Sequence, residues 1–196
     1  MPKIVDVEQR RAELADAAAR LIARSGIEAA TMREVAAEAG LTTGALTHYF
    51  ADKHELLLTT FQASLARRRS LRPPVVDTPP SALLLASLEG ALPLDDDRRL
   101  HWMVTVACCT QAAGDPDLAL AQQQAYEEFA GYVTGLVRAC GIGRRADAAD
   151  TAAALIAAAD GIAVQALFHP DLWPAARQRT VLLRMVAALG LVPDAG

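Results

Sequence analysis

The chain is poor in the residue sets that site chemistry usually needs. It has three cysteines, Cys108, Cys109 and Cys140. The count is odd, and no pair has the Cys-x-x-Cys spacing of a metal site. His101 and His169 stand alone, outside any cluster with metal-ligand spacing. No nucleophile–base pair, glycine-rich phosphate loop or carboxylate pair stands out, which argues against an enzyme. A secretory leader is lacking too: residues 1–12 are polar, with Lys3, Asp6, Glu8, Arg10 and Arg11. The longest apolar stretch, residues 152–168, contains Asp160 and Gln165. It falls short of the roughly 20 residues a membrane span needs. The expectation is a cytoplasmic protein with reduced, buried thiols, no cofactor, no metal and no membrane contact.

What is present describes a folded chain. Of its 196 residues, 53% are hydrophobic and 21% charged, which is unlike a disordered sequence. The net charge of −4 argues weakly against nucleic acid as a partner, but the charge is unevenly spread. Residues 1–72 hold 11 basic and 9 acidic side chains, and residues 73–196 hold 8 and 14. A mildly basic head on an acidic body suits a protein that touches DNA with one end.

Nearly every segment reads at helical period and none alternates as a strand. Leu14, Ala17, Ala18, Leu21 and Ile22 form one stripe, ended by Ser25-Gly26. Short helices are expected over 31–39 and 42–49, and a longer one from Asp52 to about Ser70. Arg72-Pro73-Pro74 breaks the chain, and Pro79-Pro80 opens the next helix. Body helices are expected at about 81–92, 96–113, a long one after Gly114-Asp115-Pro116, 147–168 and 174–189. The fold class is therefore all-α, about nine helices: a three-helix head and a larger helical body. The expected division is 1–51 for DNA binding, 52–78 for a linking helix and linker, and 79–196 for ligand binding and dimerisation.

The informative segment is residues 31–50. Thr31 can cap a helix, with Glu34 placed to complete a capping box. Ala36 is small enough for two helices to cross closely. Gly40, four residues later, stands where the chain must turn with positive φ. Leu41 and Leu46 plug the joint. Two helices joined steeply by so short a turn make a helix-turn-helix, whose second helix lies in the major groove. Thr42, Thr43, Thr47, His48 and Tyr49 offer small polar groups there, while Gly44 and Ala45 let the backbone approach DNA. Asp52 caps the next helix, and Lys53 in its first turn suits a phosphate.

Residues 10–61 resemble the DNA-binding head of the TetR family of bacterial regulators. The likeness rests on Arg10 to Ala18, the Gly26 exit, Thr31 to Gly40, and Gly44 to Leu57 with its Thr-His-Tyr-Phe and Asp-Lys-x-Glu-Leu-Leu runs. The stretch from Asp160 to Pro174 is similar to the branch that includes the choline-responsive BetI repressors. The resemblance implies a homodimer on a double-stranded DNA operator, with a small-molecule effector in the body. It implies base or nearby backbone contacts for Thr42, Thr43, Gly44, Ala45 and Thr47. It implies phosphate contacts for Thr31, Arg33, His48, Tyr49 and Lys53. Many members carry an aromatic where this chain has Thr47.

The body offers two further expectations. Helices 147–168 and 174–189 are apolar on more than one face, as a two-fold four-helix bundle requires. Leu155, Ala158, Ile162, Ala166, Val181, Leu182 and Met185 are the candidate dimer residues. Trp102, Met103, Cys108, Gln111, Tyr126 and Phe129 fit either a ligand pocket or ordinary core. Asp160 in its apolar helix needs a partner: a protein group, solvent at the interface rim, an arginine or a cationic ligand. Cys108-Cys109 reads as core packing, with a redox sensor as the alternative. The run Arg67-Arg68-Arg69, with Arg72, offsets a helix dipole on a solvated face, or docks to the acidic body or the DNA backbone.

Overall fold

The computed structural model describes residues 7–74, 77–141 and 147–191. Parts of the expected domain spans, 1–6, 75–76, 142–146 and 192–196, lie outside the described residues. Among the described residues there are nine α-helices and no strand. They are α1 (Val7–Ser25), α2 (Met32–Glu38), α3 (Thr43–Leu46), α4 (Lys53–Ser70), α5 (Pro80–Gly90), α6 (Asp96–Gln111), α7 (Pro116–Ala139), α8 (Asp147–Phe168) and α9 (Ala175–Ala188). A single 3-10 turn, Ile27–Ala29, joins α1 to α2.

Packing divides the chain into two compact units. The first is Met1–Arg67 with Leu100–Gln122, and the second is Arg68–Arg99 with Gln123–Gly196. Helices α4, α6 and α7 supply residues to both. The first unit thus takes in most of α6 and the start of α7, which sequence periodicity alone assigns to the body.

In the first unit, Leu14, Ala18, Leu21 and Ile22 of α1 meet Val35, Ala36, Leu46, Phe50, Leu56 and Phe61 in one buried cluster. Val104, Cys108 and Leu118 belong to the same cluster. Helix stops here follow local chemistry. At the end of α2, Gly40 adopts φ +68. Its N–H reaches the Ala37 carbonyl (3.1 Å) while Leu41 N–H reaches that of Ala36 (2.8 Å). That pair of bonds is a Schellman motif, which uses a left-handed residue to satisfy the last carbonyls. The end of α9 repeats it, with Gly190 at φ +70 and the buried Leu191 bonded back to Val186.

In the second unit, α8 packs against α9 and α5, and α5 against α9. Leu83, Leu84, Leu88, Val133, Leu155 and Leu182 are among its buried core. Ala148–Phe168 is, by length and composition only, apolar enough to cross a membrane, contrary to the shorter apolar run expected from the sequence. Packing of one of its faces against α5 and α9 accounts for much of that composition.

Candidate nucleic-acid interface

The helix-turn-helix is assembled as its sequence requires. Thr31 caps α2, its hydroxyl accepting from Glu34 N–H (3.2 Å). The expected reciprocal half of the box is replaced. The Glu34 carboxylate takes the guanidinium of Arg33 instead (2.8 Å), and Thr31 N–H bonds the Ala29 carbonyl. Ala36 and Leu46 are fully buried at the crossing of α2 and α3. The second helix is shorter than the span 42–49 suggests. Thr42 caps it, its hydroxyl accepting from Ala45 N–H (3.2 Å), and only Thr43–Leu46 are helical. Thr47, His48 and Tyr49 continue as a turn.

The small polar groups of the motif are open to solvent. Thr42, Thr43, Gly44, Thr47 and His48 are exposed, as are Thr31 and Arg33 on the neighbouring helix start. Ala45 is half-buried. Thr47 turns its hydroxyl back to donate to the Gly44 carbonyl (2.8 Å), so its proton is committed inside the motif. Tyr49 is half-buried, with its ring packed against the core of the first unit. Lys53 is partly exposed and stands 3.7 Å from Glu28.

A set of contacts that the sequence does not announce fixes the start of α4. Arg11 of α1 donates to the Tyr49 carbonyl and to Glu55 (2.8 Å), and its guanidinium lies over the Phe50 ring at 4.4 Å. Asp52 caps α4 by accepting from Glu55 N–H (2.8 Å). Glu55 accepts in turn from Ala51 N–H (2.7 Å). That backbone bond first, and Arg11 second, hold the Glu55 carboxyl below the usual carboxylate range. Partners 38 and 44 residues apart leave no local sequence signal.

His54 is also clamped. Its Nδ1 lies 3.0 Å from Asp115 and its Nε2 3.1 Å from Asp117, both in the turn that opens α7. Ligand atoms of the three come within 4.8 Å of one another. Each ring nitrogen faces its own carboxylate, so a protonated imidazole pairs with both.

The candidate pocket residues do not gather in one unit. Trp102, Met103, Cys108 and Gln111 belong to the first, Tyr126 and Phe129 to the second. Cys108 is fully buried in the first core, and burial pushes its thiol up to about 12, so it stays protonated and unreactive. Gln111 is exposed and donates to Glu28 (3.4 Å). In the second unit the Tyr126 hydroxyl donates to the Asp160 carboxylate (2.7 Å). Burial holds that carboxyl above its usual range, against the pull of Tyr126 and Arg68. Of the arginine run, Arg69 and Arg72 pair with Glu128 at 2.6 and 2.8 Å, and Arg72 lies over Phe129 and Tyr132.

The candidate dimer residues differ in exposure. Leu155, Ile162, Ala166 and Leu182 are buried within their own chain, which leaves them little surface to offer a partner. Ala158 and Val181 are half-buried, and Met185 alone of the seven is exposed. The exposed large apolar side chains of α8, α9 and the segments bordering them are Val164, Phe168, Leu172, Met185 and Leu189. Both faces of α8 are apolar, so the pattern alone did not say which of these side chains the chain's own core takes.

An exposed polar edge on a tightly plugged two-helix joint defines a helix-turn-helix protein. Residues 14–60 match the model described as bacterial regulatory proteins, tetR family, and residues 80–191 match that of the BetI-type transcriptional repressor, C-terminal. The chain is similar to the HTH-type transcriptional regulator PksA of Bacillus subtilis, 51% identical over 57 residues, covering 29% of this chain and 28% of that one. It is similar to the HTH-type transcriptional regulator BetI of Paraburkholderia phytofirmans, 40% identical over 80 residues, covering 37% of this chain and 41% of the relative. The match therefore spans well under half the length of these curated relatives. A solved transcriptional regulator from Rhodococcus sp. Rha1 aligns with TM-score 0.84 and 29% identity over 91% of this chain and 95% of that one. The chain belongs to the TetR family of bacterial transcriptional regulators, with a BetI-type C-terminal region, and is a regulator rather than an enzyme.

Proposed function

We propose that this regulator is a cytoplasmic repressor that binds a palindromic DNA operator as a homodimer and is released by a small molecule. The observation that carries the reading is the exposed edge of Thr42, Thr43, Gly44, Thr47 and His48 set on the buried Ala36–Leu46 joint. Thr42, Thr43, Gly44, Ala45 and Thr47 would meet bases or adjacent backbone. Thr31, Arg33, His48, Tyr49 and Lys53 would hold phosphates. Residues 1–51 would read DNA, 52–78 would link, and 79–196 would bind ligand and pair. Two motifs must reach half-sites about 34–36 Å apart or a multiple, which makes the operator palindromic.

Support for pairing comes from α8 and α9. Phe168 is 64% exposed, with Val164, Leu172, Met185 and Leu189 also open. An apolar set of this kind is the sort that a four-helix bundle across a two-fold axis covers. For the effector, Tyr126, Phe129 and the shielded Asp160 are the second unit's combination of aromatic faces and a carboxylate.

The test is footprinting with genomic fragments flanking the gene, across a range of salt. Affinity should fall by about 0.9 log units per log unit of salt for each phosphate neutralised. Lys53→Ala should weaken all sequences alike and reduce that slope by about one contact, while changes at Thr43 shift base preference. No protected palindrome at moderate salt would refute the reading. A thermal-shift screen of small metabolites separates ligand release from control by abundance alone.

A further inference from the structure

His54 is placed where a local motif has no use for it. It directly follows Lys53 in the first turn of α4, and its imidazole reaches neither the helix cap nor the core of the first unit. Instead it lies between two carboxylates. Asp115 faces Nδ1 at 3.0 Å and Asp117 faces Nε2 at 3.1 Å. Only an imidazolium carries a proton on both ring nitrogens, so only the charged form donates to both at once. The receiving turn is rigidly built. The other oxygen of Asp115 caps α7, accepting from the N–H groups of Asp117 and Leu118 at 3.1 Å each. The carboxylate that meets His54 is thus held by the helix it starts.

We propose that His54 is a positioning residue for operator binding: doubly protonated, it fastens the start of α4, with Lys53, to the turn between α6 and α7. The proposal rests on the reading that this end of the first unit meets DNA. Fixing α4 in advance lowers the ordering cost of binding. The imidazolium also offsets two carboxylate charges near a phosphate-binding lysine, and both effects favour the protonated state.

The other charged groups nearby have partners of their own. Asp52 caps α4, and Glu55 is bound to Arg11 and the Ala51 N–H. Glu28 stands against Lys53, and Cys108 remains a thiol. The hydrogen bond to Asp117, followed by the charge of Asp115, raises the His54 pKa above its ordinary 6.5. The clamp is therefore complete below about pH 6.5 and is lost as pH rises through the raised value.

Operator affinity and thermal midpoint of the full chain, followed from pH 5.5 to 8.5, test this in wild type, His54→Gln, His54→Lys and Asp117→Asn. Wild type should lose about three- to tenfold in affinity with rising pH beyond the loss seen in His54→Gln, the scale of two exposed charged contacts. His48 is present in every form and cancels in the comparison. His54→Lys, charged throughout, should hold the low-pH affinity and flatten the profile; Asp117→Asn should halve the effect. Should His54→Gln fail to fold, His54→Lys and Asp117→Asn still decide. Identical affinity profiles in all forms overturn the positioning role, even where the melting profiles differ. No operator binding by any form, wild type included, refutes the DNA-binding reading and the positioning role with it.

Discussion

Gly40 and Gly44 stand four residues apart, and the same added methyl should act oppositely at the two. Gly40 ends α2 at φ +68, with nothing within 4 Å of an added Cβ. The cost of Gly40→Ala is then backbone strain alone, about 1 kcal/mol for a left-handed L-residue. Gly44 lies in α3 without positive φ, also with nothing within 4 Å of an added Cβ. Gly44→Ala removes glycine's extra freedom in the unfolded chain and should stabilise by about 0.5 kcal/mol. The pair should differ by about 1.5 kcal/mol. With a urea slope of about 2 kcal/mol per molar, the midpoints separate by roughly 0.7 M. Both must be measured at one protein concentration, since any association shifts the midpoint. Operator binding should break the parallel with stability. If the backbone at Gly44 approaches DNA, Gly44→Ala weakens the operator by about tenfold or more while the protein becomes more stable. A neutral Gly40→Ala would refute the need for positive φ at the turn. Gly44→Ala binding within twofold of wild type would refute close approach.

Three other outcomes follow from named contacts. Burial raises the Asp160 pKa, so this carboxyl costs stability as pH rises above its ordinary 3.8. Asp160→Asn should accordingly raise the thermal midpoint at pH 7, with the gain vanishing towards pH 3.8; an unchanged or lowered midpoint at pH 7 contradicts it. Phe168→Asp should shift the molecule to monomer in light scattering at micromolar concentration, whereas the same change at the exposed Val7 should not; a dimeric Phe168→Asp protein would move the interface elsewhere. Thr31→Ala removes the α2 cap and should cost about 1 kcal/mol by urea denaturation, a loss that Thr31→Ser largely restores.

Much of the fold was decided by local sequence chemistry. The 3.6-residue spacing of apolar side chains placed the described helices to within a few residues, because an amphipathic stripe must be buried whatever it packs against. Thr31, Gly40 and Asp52 acted as punctuation for the same reason: a cap or a left-handed residue satisfies backbone groups within a few positions of itself. The joint of Ala36 and Leu46 was equally legible, since close helix crossing needs one small residue and one plug. Tertiary structure decided the rest. Whether Glu34 completes its capping box or takes Arg33 depends on side-chain competition, not spacing. Which face of α8 is buried could not be read where both faces are apolar; the positions of α5 and α9 settled it. Arg11 and His54 gained their partners, and Glu28 its contact with Gln111, across 38 to 83 residues of chain, and no periodic signal reaches that far. Local pattern thus set the helix-turn-helix itself, and long-range packing set what holds it in place.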